Sequence, residues 1–187
     1  RWVSQPFPAQ IIIATDITAQ VDLTAAYQRL AMTDALTGLA NRRHGEQTMR
    51  RELARAQRYG TKLCLALLDI DYFKSINDSQ GHGVGDEVLM GVGRTIMASI
   101  RESAFAARWG GEEFLLLMPN TDLEGAVVCC ERIRSSIATR ITCGGKAVTI
   151  SIGISIHHPG EIVETTLARA DQKLYEAKNT GRNRLAS

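Results

Sequence analysis

Apolar residues recur along much of the chain at the spacing of amphipathic helices, with an apolar face opposite a polar one. Four long segments show this pattern, at about residues 43–59, 86–100, 122–139 and 162–179. Gly181 follows the last of them, in the position where a glycine commonly ends a helix. A shorter helix is predicted over residues 72–79, and the glycine-rich residues 81–85 after it predict a loop.

A continuous apolar run over residues 63–68 predicts a central strand. Such a run, without alternation, is typical of a strand that is buried on both faces. It ends in Asp69 and Asp71, so the strand would carry carboxylates to the edge of the sheet. Residues 147–156 alternate between the two faces and predict a further strand.

The sequence Gly110, Gly111, Glu112, Glu113 lies between two apolar runs, which predicts a β-hairpin with a tight turn. Neighbouring side chains on a strand face opposite ways, so only one glutamate would enter a given pocket unless the turn twists them. Glycines beside acids let a ligand approach the backbone next to oxygen ligands for a hard cation. An exposed acidic tip without a function is the alternative that this motif alone leaves open.

The order of these elements predicts one α/β sandwich, in which helices cover a mixed sheet. The first 32 residues are expected to lie outside it. Residues 1–18 contain two prolines and the β-branched run Ile11, Ile12, Ile13, which favour a terminal strand. Residues 19–32 contain no Gly or Pro and predict a linker helix, too short to assign as a coiled coil. The sandwich domain would then span residues 33–187.

Composition narrows the possible partners of the chain. The 187 residues suit one domain with an appendage, and we expect a piece of a longer protein because the chain begins without Met. No apolar run approaches the ~20 residues of a membrane span. A net charge of +2 with few aromatic residues argues against nucleic acid as the partner. The four cysteines lack metal-type spacing, which favours buried reduced thiols and a cytoplasmic location.

The acidic positions suggest a metal-dependent nucleotide site. Asp69, at the end of the central strand, and Glu112, at the hairpin, could converge across adjacent strands. Two carboxylates and a carbonyl suit Mg²⁺, which keeps waters and substrate phosphates as its other ligands. A nucleoside triphosphate is the natural ligand of such an ion. Lys74, Lys178 and Arg182 would then contact phosphates.

A guanine site is also possible. Asp86 could accept hydrogen bonds from N1 and N2 of guanine, a pattern that adenine does not present, and Asn77 could donate and accept beside it. Simpler explanations remain open for each residue. Asp86 could cap a helix, and Lys178 could interact with a helix dipole. Asp71 could cap the short helix or steady the metal loop, and His82 could fix its own loop by a hydrogen bond.

Four motifs, in order, resemble the GGDEF domain of diguanylate cyclases. They are residues 34–43 (DALTGLANRR), 68–86 (LDIDYFKSINDSQGHGVGD), 108–114 (RWGGEEF) and 174–183 (LYEAKNTGRN). The resemblance covers about residues 33–184. It implies an α/β fold of the nucleotidyl-cyclase type, related to the polymerase palm. It also implies condensation of two GTP into cyclic di-GMP and two pyrophosphates.

The resemblance assigns a role to each matching position. It implies that Asp69, the Ile70 carbonyl and Glu112 bind Mg²⁺ or Mn²⁺, and that Glu113 belongs to the same acidic turn. Glu112 is the residue expected to help remove a proton from the 3′-hydroxyl of GTP, and Glu113 and Lys74 complete the expected catalytic group. The substrate-binding positions are Phe73, Asn77, Asp86, Lys74, Lys178, Arg182, Gly110 and Gly111. Among them Asn77 and Asp86 contact guanine and the basic residues contact phosphates.

The reaction implied by the resemblance requires two copies of the domain. Because each domain would hold one GTP, we expect a homodimer, with the linker helix setting its geometry. Residues 11–18 (IIIATDIT) are similar to the final strand of a PAS sensor domain, which implies an upstream sensor in the same polypeptide. Two other hypotheses stay open. One is a non-catalytic GTP-binding module that regulates a neighbouring phosphodiesterase, and the other is a dimerisation element.

One position departs from the family pattern. Family members with product inhibition carry Arg-x-x-Asp before the hairpin, whereas this chain has Arg101 followed by Ala104 in place of the Asp. The pair that would bind guanine has therefore lost its acceptor, and we expect weak or absent product inhibition. Arg132 could offer a secondary product contact, or could be an ordinary surface arginine.

Overall fold

The computed structural model describes residues 32–187, so the expected strand at residues 1–18 lies outside the described residues, as does the linker helix up to residue 31. Five helices are described: α1 (Arg42–Tyr59), α2 (Phe73–Gln80), α3 (His82–Ser99), α4 (Leu123–Arg140) and α5 (Val163–Asn179). The longer strands are β1 (Leu63–Ile70), β2 (Phe105–Arg108), β3 (Glu113–Pro119) and β6 (Ile150–Ile156). Three two-residue strands complete the set: β4 (Thr142–Cys143), β5 (Lys146–Ala147) and β7 (Leu185–Ala186).

The main sheet is mixed, with strand order β2-β3-β1-β6-β7, and it confirms the predicted α/β sandwich. Strand β1 is central and runs antiparallel to β3 and β6, while β7 pairs with β6 in parallel. All eight residues of β1 are buried, because helices cover both faces of the sheet. The alternate residues Leu63, Leu65 and Leu67 pack with α1 and α5, whereas Cys64, Ala66 and Leu68 pack with α3 and α4.

The hydrophobic pattern located the long helices to within a few residues, except at the start of α3. This helix begins at His82, so residues 82–85 belong to it, and the prediction of a loop there is wrong. Only Gly81, with φ of 86°, has a left-handed backbone in this segment. Asp86 consequently lies in the second turn of α3, and the prediction that it caps the helix is also wrong.

The predicted strand over residues 147–156 is two strands. β5 pairs with β4 in a separate small hairpin, and β6 starts only at Ile150. Gly144 and Gly145 connect β4 to β5 with φ values of 56° and 76°, as a two-residue turn with both φ values positive requires. The Gly-Gly pair was therefore the sequence signal for a hairpin that the alternation alone did not show. All four cysteines are unpaired, as predicted, although only Cys64 and Cys130 are fully buried.

The packing of α5 on the sheet depends on a glycine. A Cβ atom added to Gly153 in β6 would lie 2.1 Å from the carbonyl oxygen of Ala170 and 2.1 Å from the amide nitrogen of Leu174. Both are backbone atoms of α5, so a side-chain rotation cannot relieve the contact. Glycine at this point of a strand permits the close approach of another backbone.

We therefore expect Gly153→Ala to lower the free energy of unfolding by about 2 kcal/mol or more, as overpacking of a tight core does. Urea unfolding followed by circular dichroism measures this effect. Gly83→Ala is the matched control, because a Cβ there meets nothing within 4 Å and the backbone is helical. Equal midpoints for wild type and Gly153→Ala would contradict the packing described for α5.

Candidate active site

The end of the central strand carries a buried carboxylate paired with a lysine. Asp69 is 5% exposed, and its Oδ2 lies 2.7 Å from Nζ of Lys178, in the last turn of α5. The β1–β3 register places Asp69 opposite Glu113. The amide of Ile70 donates a hydrogen bond of 3.3 Å to the carbonyl of Glu112, which joins the hairpin to the end of β1. The predicted convergence of Asp69 with the acidic turn is therefore present.

The electrostatics of this edge favour a cation. Burial raises the pKa of Asp69 to about 6, and the negative charges of Glu112 and Glu113 also raise it, while Lys178 lowers it. The ionised carboxylate therefore depends on nearby positive charge. In the described part of the chain, no three His, Cys, Asp or Glu side chains are arranged to hold a metal ion together. The predicted ion site has two carboxylate side chains and one backbone carbonyl, so it does not require a cluster of three such side chains.

The hairpin turn differs from the tight turn predicted from its two glycines. β2 ends at Arg108 and β3 begins at Glu113, so four residues connect them. Neither Gly110 nor Gly111 has a left-handed backbone. A Cβ on Gly110 would lie 2.6 Å from Oε2 of Glu113, whereas a Cβ on Gly111 would meet nothing within 4 Å. The surface over Gly111 is therefore open to a ligand, and Gly110 leaves room for the Glu113 carboxylate.

Arg108 holds the hairpin turn in place by hydrogen bonds to its backbone carbonyls. Arg108 donates from Nη2 to the carbonyl of Gly111 at 2.7 Å and from Nε to the carbonyl of Gly110 at 3.2 Å. Its Nη1 forms an ion pair of 3.2 Å with Asp34. Burial acts to raise the pKa of Asp34, but hydrogen bonds from Thr37 and the charge of Arg108 outweigh it and lower the pKa. Sequence reasoning did not assign Asp34 or Arg108, although both lie in the quoted motifs.

The two predicted guanine-binding residues belong to helices that contact each other. Asn77 lies on α2, and its Oδ1 would be 1.9 Å from a Cβ added to Gly85. Gly85 directly precedes Asp86 in α3, so the Asn77 amide packs against the turn that carries Asp86. Phe73 is buried beside them, with its Cζ 3.3 Å from the same Cβ position. The structure brings these residues together at a glycine whose missing side chain makes room for Asn77.

The predicted phosphate-binding residues have different surroundings. Lys74 is exposed on α2 and makes no hydrogen bond or ion pair within residues 32–187. Arg182 stacks on Tyr72, with its guanidinium carbon 4.5 Å from the ring centre, and donates to the Tyr72 hydroxyl at 3.3 Å. Lys178 contacts Asp69 rather than open space. Lys74 is thus exposed to solvent, Arg182 lies against an aromatic ring, and Lys178 forms an ion pair with the Asp69 carboxylate.

Asp71 is hydrogen-bonded to the segment after α5 that carries Arg182. It is 4% exposed and accepts hydrogen bonds of 2.7 Å from both Thr149 and Ser151. It also accepts a hydrogen bond of 2.9 Å from the amide of Asn183. The helix α2 has no side-chain cap, so Asp71 does not serve as one. His82 is exposed in the first turn of α3, in a helix rather than the expected loop.

Arg101 and Ala104 line a separate cavity of about 190 Å³ together with Arg132. Arg101 donates to the carbonyl of Pro119 and to the hydroxyl of Thr121, and Arg132 donates to the carbonyl of Ser99. Met118, Val128 and Cys129 contribute the apolar and sulfur-containing part of the lining. The cavity therefore contains two guanidinium groups, and its lining includes no carboxylate.

The mixed sheet is covered by helices and carries acidic residues at the end of its central strand and at the adjoining hairpin. The solved structures that match this fold are GGDEF domains, so the domain is of the cyclase-like class. Residues 31–184 match the family model described as "Diguanylate cyclase, GGDEF domain". The chain therefore belongs to the GGDEF-domain family of diguanylate cyclases, which are nucleotidyltransferases. This finding confirms the family that the four motifs indicated, and the family implies a divalent metal cofactor.

Individual relatives agree with this assignment. The chain is 42% identical over 179 residues to diguanylate cyclase DgcM of Escherichia coli K12, covering 94% of the chain and 43% of that protein. The crystal structure of the coiled coil and GGDEF domain of DgcB from Caulobacter crescentus, in complex with c-di-GMP, matches with a TM-score of 0.85. The identity there is 36%, over 91% of this chain and 95% of that one.

The structure of the active GGEEF domain of a diguanylate cyclase from Vibrio cholerae matches with a TM-score of 0.76 and 37% identity, over 79% of this chain and 96% of that one. The chain spans less than half of the length of DgcM. No helix among residues 32–187 combines the length and the apolar character needed to cross a membrane.

Proposed function

We propose that this domain condenses two GTP molecules into cyclic di-GMP with release of two pyrophosphates. The observation that carries the proposal is the joint placement of buried Asp69, the Glu112–Glu113 turn and the β1 end to which it is hydrogen-bonded. Membership of the diguanylate cyclase family supports the same reaction. The open surface over Gly111 supports the approach of a nucleotide to the hairpin.

A divalent ion, Mg²⁺ or Mn²⁺, would be held by Asp69, the Ile70 carbonyl and Glu112. The residues present fit such an ion, because the buried Asp69 carboxylate already has a cationic partner in Lys178. When bound, the ion would offset the negative charge that develops on the phosphoryl oxygens. The protein holds these ligands in position through β1 and through the hydrogen bond between Ile70 and Glu112.

The remaining residues bind and orient the substrate. Asn77 and Asp86 bind guanine, and the buried side chain of Phe73 lies beside Asn77 at Gly85. Lys74, Lys178 and Arg182 bind the phosphates, and Arg182 is oriented for this by its stacking on Tyr72. Glu112 accepts the proton of the attacking 3′-hydroxyl at its carboxylate, with Glu113 adding negative charge beside it.

Two copies of the chain complete the site. Each domain offers one set of guanine-binding residues, so the second GTP comes from a partner domain whose 3′-hydroxyl faces the first α-phosphate. We propose a homodimer, with residues 19–32 as a linker helix and residues 1–18 as the end of a PAS-like sensor domain upstream. The solved DgcB structure contains a coiled coil and a GGDEF domain, which supports a helical segment next to the GGDEF domain of this chain.

Chromatographic identification of the product from GTP tests the proposed reaction. The account predicts cyclic di-GMP and pyrophosphate from GTP with Mg²⁺, and no cyclic dinucleotide from ATP under the same conditions. Asp69→Asn removes a charge from the proposed ion site and should abolish the product. Lys62→Met, at an exposed residue paired with Asp122, is a control on another surface and should leave product formation unchanged. A GTP-derived product other than cyclic di-GMP would refute the proposal.

We also propose that product inhibition is weak. Arg101 is already bonded to Pro119 and Thr121, and Ala104 supplies no acceptor for guanine. We expect turnover to be unaffected by micromolar cyclic di-GMP and Arg101→Ala to behave like wild type. Ala104→Asp restores the acceptor and should introduce inhibition, measured as initial rate against added product. Micromolar inhibition of the wild type that disappears in Arg101→Ala would contradict this account.

A further inference from the structure

Lys178 forms an ion pair with Asp69, the carboxylate that is proposed to hold the metal ion. Nζ of Lys178 lies 2.7 Å from Oδ2 of Asp69, whose side chain is 7% exposed, while the lysine side chain is 30% exposed. Glu112 and Glu113 make no ion pair elsewhere within the described residues. The ammonium group is thus the charge partner of the buried carboxylate that is expected to hold the ion.

A divalent cation and this ammonium group cannot share the carboxylate at low cost. Two positive charges a few ångströms apart repel each other, and partial burial strengthens the repulsion relative to water. A buried carboxylate that loses one partner needs another at once, since an unpaired buried charge is strongly destabilising. Lys178 must therefore leave Asp69 when a metal ion arrives, and it leaves as a cation that itself needs a partner.

The triphosphate is the partner within reach. Lys178 lies one residue before the end of α5, and Arg182, the stacked arginine, lies four residues further along. Lys178 contacts Asp69 at the end of β1, and Arg182, just beyond the end of α5, stacks on Tyr72, two residues after β1. The backbone amide of Asn183 donates a hydrogen bond to Asp71 and holds this segment in place. A nucleotide bound over the hairpin would bring anionic oxygens to the lysine that the metal displaces.

We propose that Lys178 is a positioning residue that substitutes for the metal ion on Asp69 and transfers to the substrate phosphates when metal and nucleotide bind together. The proposal rests on the GTP-dependent function given above and adds to it that metal binding and nucleotide binding depend on each other through Lys178. Metal alone must displace the lysine without compensation, whereas metal with GTP provides a new partner for it. The two ligands consequently bind with positive coupling, and each raises the affinity of the other by the same factor.

The test is direct Mn²⁺ binding without nucleotide, followed by electron paramagnetic resonance at pH 8. We expect Lys178→Met to bind Mn²⁺ about tenfold more tightly than wild type, because the competing charge is gone. The same variant should bind GTP with Mg²⁺ more weakly, and the coupling between the two ligands should be smaller than in wild type, with only the direct contact of metal and phosphate left to couple them. Lys173→Met is the matched control, because Lys173 lies on the same helix with a side chain that is 31% exposed and pairs with Glu176 instead of Asp69, and its Mn²⁺ affinity should not change.

Lys178→Gln guards against a folding defect, since its amide can still donate to Asp69, and circular dichroism should match the wild type. It should also bind Mn²⁺ more tightly than wild type. Mn²⁺ affinity that is unchanged or lower in both folded variants would overturn the proposal. Failure of the proposed function has a different signature, because wild type would then form no cyclic di-GMP whatever the Mn²⁺ affinities are.

Discussion

Glu112→Gln should lower the rate of cyclic di-GMP formation by about a thousandfold or more while the domain still binds GTP. The amide keeps the shape of the glutamate but can neither accept the 3′-hydroxyl proton nor offer a negative charge to the ion. General-base catalysis alone contributes about 10²–10⁴-fold, which sets the scale of the loss. Initial rates of pyrophosphate release measure it, and GTP affinity is measured separately by calorimetry.

Glu124→Gln provides the control for this substitution. Glu124 is an exposed glutamate in the first turn of α4 and has no role in the site. Its variant should turn over GTP at the wild-type rate. If Glu112→Gln retained a tenth of the wild-type rate, the assignment of Glu112 as the proton acceptor would be wrong.

Gly85→Ala should weaken GTP binding by about tenfold to a hundredfold. The added methyl group would overlap Oδ1 of Asn77 at 1.9 Å, so the amide must leave its position beside Asp86. Loss of a hydrogen bond to a buried partner costs about 1–3 kcal/mol, which corresponds to this range. Calorimetry with GTP measures the affinity, and competition with ATP measures the loss of guanine selectivity.

A double variant separates this effect from general damage to α3. If Gly85→Ala acts only by displacing Asn77, then adding it to Asn77→Ala should cost little more than Asn77→Ala alone. Gly83→Ala, two residues earlier in the same helix, meets nothing within 4 Å and should bind GTP normally. Additive losses in the double variant would show that the contact with Asn77 is not the cause.

The parts of the fold that the sequence predicted are those with long periodic patterns. The eight buried residues of β1 and the apolar faces of α1, α4 and α5 carry enough repeats to show their type. The start of α3 was not predictable in this way, because glycines at 83 and 85 indicate a loop unless packing requires them in a helix. Gly85 meets that requirement through Asn77, a contact that no local pattern reveals.

The short strand β7 also depends on distant partners. Its two residues, Leu185 and Ala186, pair with Ile152 and Gly153 of β6. Two residues are too few for a periodic signal in the sequence. The position of β7 beside β6 depends instead on where the preceding helix α5 ends. The same holds for the β4–β5 hairpin, except that its Gly-Gly turn was a readable local signal.

The positions of the acidic residues in the candidate site were predictable from the sequence, whereas the contacts of its basic residues were not. Asp69 and the hairpin glutamates follow apolar runs, so adjacent strands bring them together. The ion pair of Arg108 with Asp34 joins residues 74 positions apart, and nothing in the local sequence of either residue indicates it. Lys178 was predicted to contact phosphate, and its contact with Asp69 became visible only once α5 was placed over the sheet.

The rate of cyclic di-GMP formation from GTP and Mg²⁺, measured against protein concentration, shows whether two copies of this domain join two GTP molecules. Because two domains must meet to join two nucleotides, we expect a rate that rises with the square of the concentration of dissociated domain. The rate should become linear once dimers saturate. GTP binding without formation of cyclic di-GMP at any concentration would contradict the account and support a non-catalytic GTP-binding module.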